Sequence, residues 1–153
     1  MATRETITIE GAQSNCFNIS ETVGVTGSNK AGDVMLIQAM LQYIAEAQTP
    51  QFIGLNSKDN LPIVSGAFDA ATEDAIKRYQ LSRVLSLLQQ TGLPGLIHPA
   101  SYKGRNIKFM TGGNFRFMTI TLLHFDAQFV APNVDYTKEI PRKTPQLVPW
   151  LKG

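Results

Sequence analysis

The sequence predicts a mainly α domain: a core of three helices, preceded by a strand, interrupted by an inserted β-hairpin and followed by an extended C-terminal arm. Three apolar patterns point to the helices. Val34, Ile37, Leu41 and Ile44 fall on one helical stripe, as do Thr72, Ala75, Ile76 and Tyr79, and a third apolar set runs from Ile120 through Leu122, Leu123 and Phe125 to Phe129. A chain of 153 residues, 43% hydrophobic and 17% charged, is of a size to bury one core formed by such stripes.

Residues 1–10 alternate polar and apolar side chains and carry acids at Glu5 and Glu10, a pattern of an edge strand and unlike the continuous apolar core of a secretory leader. No run approaches the roughly 18 apolar residues of a membrane span. The expectation is a chain made in the cytoplasm that leaves it, if at all, by lysis, by injection or as part of a particle. Residues 11–32 are rich in Ser, Asn, Gly and Thr and read as loop with room for one strand. Asp33 is placed to cap the first helix or to complement its positive end, and Pro50 stops it.

In the second helix Gly66 suits a tight turn, Asp69 an N-cap, and Glu73 and Asp74 the positive end; Leu81 to Leu88 extend it until Gly92-Leu-Pro-Gly95. From Tyr102 the period becomes two. Ile107 and Phe109, then Phe115 and Phe117, flank Thr111-Gly-Gly-Asn114 as a hairpin inserted over about 101–118. A helix over Thr119–Phe129 completes a domain of residues 1–131, its polar stripe Thr121, His124 and Gln128. Residues 132–153 hold four of the eight prolines and read as an extended arm.

Three of these segments, in order, resemble the peptidoglycan-binding-domain-like family, a small three-helix module of cell-wall enzymes. Asp33-Val-Met-Leu-Ile-Gln-Ala-Met-Leu41 looks like its Asp-Val-x-x-Val-Gln-x-x-Leu helix, approached by Val23-Gly-x-x-Gly-x-Asn29. Gly66-Ala-Phe-Asp-Ala-Ala-Thr-Glu-Asp-Ala-Ile-Lys-Arg-Tyr-Gln80 is similar to Gly-x-Phe-Gly-x-x-Thr-x-x-Ala-Val-x-x-Phe-Gln, and Gly95-Leu-Ile-His-Pro99 resembles Asp-Gly-x-Ile-x-Pro. Pro94, His98 and the long Leu81–Leu93 connection depart from the pattern. The resemblance implies a wall-binding fold in which Asp33, Gln38, Gly66, Phe68, Asp69, Thr72, Ala75, Tyr79 and Gln80 are structural.

Equipment for chemistry is sparse. Cys16 is the one cysteine and has only His98 and His124 beside it, too few for a disulfide or a cysteine-histidine zinc cluster. There is no His-Glu-x-x-His or His-x-His spacing, and Glu73 and Asp74, about 100° apart on a helix, cannot flank one glycosidic bond. Gly112-Gly113 is a turn pair and no phosphate loop. The expectation is a non-catalytic chain with no metal and no cofactor.

Net charge is +2, but residues 1–100 carry six basic and nine acidic side chains against eight and three in 101–153. An anionic partner would meet the C-terminal third; no nucleic-acid partner is implied by so small a total. Glycan faces stack on aromatic rings and stem-peptide carboxylates suit arginine forks, which makes Arg78, His98, Tyr102, Arg105 and Arg116 the candidate ligand residues. The function implied is peptidoglycan binding. Two alternatives stand beside it: a structural subunit of a phage tail or contractile injection particle, docked through the strand, hairpin and arm, and a subunit targeting a separate hydrolase to the wall.

Overall fold

The computed structural model describes the backbone of residues 1–46, 61–87, 95–104, 106–107 and 118–153, and the side chains of these except 83–87 and 107. The order of elements is β1 (Ala2–Ile9), β2 (Ala12–Asn18), β3 (Val23–Gly24), α1 (Ala31–Glu46), α2 (Ala70–Leu87), β4 (Leu96–Ile97), β5 (Asn106–Ile107), α3 (Thr119–Val130), α4 (Tyr136–Lys143), a 3-10 helix (Pro145–Trp150) and β6 (Leu151–Lys152). The molecule is therefore a mixed α/β domain. The mainly α bundle expected from the three apolar stripes is incorrect.

The three stripes do form helices, but a mixed sheet packs with them. β1 runs antiparallel to β2, with Ile9 opposite Ala12, and the two-residue turn between them has φ 47° at Glu10 and 82° at Gly11. Two positive φ values in a two-residue loop match the twist of a hairpin, and glycine adopts the second without strain. On its other side β1 pairs in parallel with β5 at Thr8 and Ile9 and with β6 at Ala2 and Thr3. The N-terminal strand is thus central, not an edge: alternation reports which face is buried and is silent on how many neighbours a strand has.

β2 (seven residues) and β3 (two) occupy part of the 11–32 segment expected to be loop with room for one strand. The β2 sequence, Ala-Gln-Ser-Asn-Cys-Phe-Asn, is poor in strand-forming residues, and pairing with β1 together with burial of Cys16 and Phe17 overrides that local preference. A second, two-stranded sheet joins β3 to β4, Val23 opposite Ile97 and Gly24 opposite Leu96.

The C-terminal segment is packed, which corrects the extended-arm expectation. Asp135 caps α4 by accepting from the Thr137 N–H at 3.1 Å, and Tyr136, Ile140 and Leu147 are buried in the main core. Proline misleads here because α4 carries Pro141 inside its last turn in spite of the hydrogen bond it forgoes, and Pro145 stands at the start of the 3-10 turn, where a missing N–H costs little. Trp150 rests on the first turn of α1, where a Cβ on Gly32 would come within 3.1 Å of its side chain. Most of the hairpin expected over 107–117 lies outside the described residues; Asn106–Ile107, at its start, is the short parallel strand β5.

Among the described residues no helix is long and apolar enough to cross a membrane.

Candidate functional site

The motif residues act as joints. The Gln38 carboxamide, buried on α1, donates to the Ala67 carbonyl at 3.0 Å and the Thr72 hydroxyl at 2.9 Å, and its oxygen accepts from the Ser65 and Gly66 N–H groups, each at 2.9 Å. Gly66 sits at φ 82° with its α-carbon so close to α1 that a Cβ would lie 3.1 Å from the Ala31 carbonyl oxygen. Gln80 repeats the device on α2: it donates to the Leu96 carbonyl at 2.9 Å and the Thr119 hydroxyl at 3.1 Å, and accepts from the Gly95 N–H at 2.6 Å. Each glutamine thereby ties a glycine turn to its own helix.

The remaining motif positions follow. Asp69 caps α2 by accepting from the Thr72 N–H at 2.8 Å, and the Thr72 hydroxyl and N–H hold its carboxyl below the usual range. Ala75 is buried, Phe68 packs partly buried against the core, and the buried Tyr79 hydroxyl donates to Asp126. Asp33 lies in the first turn of α1, where an acid complements the helix's positive end, but it is not the cap: α1 begins at Ala31, and the buried Asp33 carboxylate accepts from the Ser20 N–H at 2.9 Å, the Ser20 hydroxyl at 2.7 Å and the Glu21 N–H at 3.0 Å. It fastens the β2–β3 connection to the helix instead of capping its own backbone.

Three of the five candidate ligand residues are described, and each sits in its own hydrogen-bonded setting. Arg78 on α2 bonds Asp74 at 2.8 Å, and His98 after β4 lies 2.9 Å from the Thr22 hydroxyl. Tyr102 is buried beneath β1 and β2 with Ile7 and Cys16, its hydroxyl 3.0 Å from that of Thr121, so its ring offers no face to a sugar. Arg105 and Arg116 lie outside the described residues.

Two groups raise the question of catalysis. Burial, with Glu5 nearby, pushes the Cys16 thiol up to about 12, which leaves no thiolate at neutral pH. Ser14, His124 and Tyr136 form a chain that the sequence did not single out: His124 Nε2 is 3.4 Å from Ser14 Oγ, and Nδ1 is 2.6 Å from Tyr136 Oη. Tyr136 stays protonated because burial raises it well above its ordinary value, and its oxygen already accepts from the Phe17 N–H at 3.3 Å. The hydroxyl therefore keeps its proton, and the direction of its bond with Nδ1 follows the imidazole tautomer. A serine nucleophile needs the tautomer with its hydrogen on Nδ1, which leaves Nε2 to accept from Ser14, here 3.4 Å away. Among the described residues no cluster of His, Cys, Asp and Glu could hold a metal ion.

An apolar groove of about 450 Å³ lies between β2 and α3, lined by residues that include Ala12, Gln13, Ser14, Phe125 and Phe129. Phe129 remains 59% exposed at its rim. Elsewhere the Lys143 ammonium stands 5.5 Å from the centre of the Tyr43 ring, beside shallow hollows that also involve Glu46 and Glu139. Neither feature has a periodic signature that sequence reading could have detected, because each joins segments far apart in the chain.

No family model, no curated protein and no solved structure matches the chain.

Proposed function

We propose that this chain is a peptidoglycan-binding module that acts by recognition, without chemistry of its own. The observation that supports the reading is the pair of glutamine joints: Gln38 and Gln80 fasten the turns at Gly66 and Gly95, and the Gly95 turn continues into the β3–β4 pair. The segments that resemble the wall-binding family are thus the segments that converge. Arg78 and His98, on α2 and just beyond β4, are described candidates whose chemistry suits a stem-peptide carboxylate. Co-sedimentation of the full chain with purified sacculi tests this reading. Binding that weakens in Arg78→Ala and His98→Ala supports it; a chain that stays in the supernatant at all sacculus concentrations refutes it.

A second reading, a structural subunit of a tail or injection particle, is favoured by the outer side of β2, which ends the sheet order β2-β1-β5 and pairs with no other strand among the described residues. Its test is the presence of the chain at fixed stoichiometry in purified particles.

A further inference from the structure

The register of the β1–β2 hairpin decides which backbone groups of β2 face outward. With a two-residue turn, Ile9 and Ala12 form a hydrogen-bonded pair, as do Ile7 with Ser14 and Glu5 with Cys16. The N–H and C=O of Gln13, Asn15 and Phe17 then point away from β1. The Phe17 N–H is taken by the Tyr136 hydroxyl. Those of Gln13 and Asn15 have no partner among the described residues, and exposure follows the same division: Ala12 and Gln13 are exposed and Ser14 and Asn15 half-buried, whereas Cys16, Phe17 and Asn18 are buried. Among the described residues, α4 closes one half of this edge and nothing pairs with the other half.

The open half lacks the devices that normally keep a sheet edge from pairing. Residues 12–18 contain no lysine, no other charge and no proline, and their pairing with β1 is continuous, with no bulge. The groove between this edge and α3 lies alongside, within the ~300–1,000 Å³ of ordinary ligand pockets, and the residues lining it carry no charge at neutral pH. Unpaired backbone groups specify an extended backbone as the occupant. An uncharged, largely apolar lining specifies its side chain.

We propose that Ala12–Asn15 accepts an extended segment of a partner protein as an added strand, with an uncharged apolar side chain of that segment seated in the groove against Phe125 and Phe129. The proposal rests on the assembly reading and names its docking surface. Strand addition takes affinity from the main-chain ladder and selectivity from pockets for alternate side chains. One such pocket beside two outward-facing residues fits a short, single-anchor segment.

Amide hydrogen exchange on the full chain tests it, with the capped peptide acetyl-Lys-Thr-Thr-Phe-Thr-Val-Thr-Lys-amide as probe. In the free chain the Gln13 and Asn15 amides should exchange quickly while those of Ser14 and Cys16 are protected. Added peptide should slow Gln13 and Asn15 at least tenfold; the same peptide N-methylated at alternate backbone nitrogens should not, and Phe129→Asp, at an exposed position, should abolish the effect. Unchanged exchange at millimolar peptide, or protection confined to other residues, overturns the proposal. Protection that rises with protein concentration alone assigns the edge to a second copy and overturns it equally. A chain found in particles with its Gln13 amide still exposed would sink this docking surface and leave the assembly reading standing.

Discussion

His124 and Tyr136, one on α3 and one on α4, meet through Nδ1 and Oη at 2.6 Å, and through the same hydroxyl the Phe17 N–H of β2 is satisfied at 3.3 Å. One phenol therefore ties two helices to the sheet. Tyr136→Phe keeps the ring, which packs edge-on against Phe17 at 5.7 Å, and leaves a buried imidazole nitrogen and a buried N–H without partners. The loss should be about 2 kcal/mol, read as a lower midpoint in urea unfolding with an unchanged slope.

The same pair predicts how the fold responds to acid. Burial lowers the His124 pKa from 6.5 to about 4, so between these values the unfolded chain binds a proton that the folded chain refuses. Stability is full above pH ~6.5 and falls as pH drops towards 4, by at most about 3 kcal/mol. Below that, Asp69 and Asp135, both held lower than usual by hydrogen bonds, lose their contributions in turn. His124→Gln should be less stable at pH 7 but nearly flat from pH 6.5 to 4. A wild-type profile that is itself flat there would refute the assignment.

Much of the core was legible in the sequence and much of its setting was not. Helical periodicity located α1, α2 and α3, and local chemistry located the Asp69 cap and the Gly66 turn, because those signals lie within a few residues of the feature they specify. β2 and α4 depend on partners far along the chain: Cys16 and Phe17 become strand residues through β1, and Tyr136 and Ile140 become core residues through His124 and Phe17. Composition described those segments as loop and arm. The candidate site failed for the same reason, since Tyr102 is placed by Ile7 and Cys16 beneath the sheet, and the groove beside Phe129 exists only once α3 lies along β2.

Gln38→Ala removes four hydrogen bonds at once and strands the N–H groups of Ser65 and Gly66. The expected cost is about 2–4 kcal/mol, with exchange of those two amides accelerated before global unfolding. Gln38→Glu separates the halves of the joint. It keeps the acceptor for Ser65 and Gly66 and loses the donors to Ala67 and Thr72, so it should restore protection at the two amides while recovering only part of the stability.

Two glycines with positive φ should respond very differently to alanine. At Gly24, φ is 148° and a Cβ would fall 2.3 Å from the Gly95 carbonyl oxygen, a backbone atom that can move only by opening the β3–β4 pair. Gly24→Ala should unfold the domain or cost upwards of about 3 kcal/mol. Gly11, at φ 82°, has nothing within 4 Å of its Cβ position, so Gly11→Ala should cost only the backbone strain, about 1 kcal/mol, and Gly11→Asn less. Thermal unfolding of the three variants side by side checks the ranking.

Removal of residues 132–153 separates a packed C-terminal segment from a dispensable arm. Truncation deletes the buried side chains of Tyr136, Ile140 and Leu147, strips β6 from β1 and uncovers Phe17 and His124. At about 1.5–3 kcal/mol for each large apolar side chain, the loss approaches the ~5–15 kcal/mol that holds a domain of this size together. The 1–131 fragment should therefore be unfolded or aggregated at 25 °C by circular dichroism and gel filtration, and in the full chain Lys138, Arg142 and Lys143 should resist trypsin under native conditions. A folded, monomeric 1–131 fragment with a midpoint near that of the full chain would show that the sheet and the three long helices stand without the segment that crosses them.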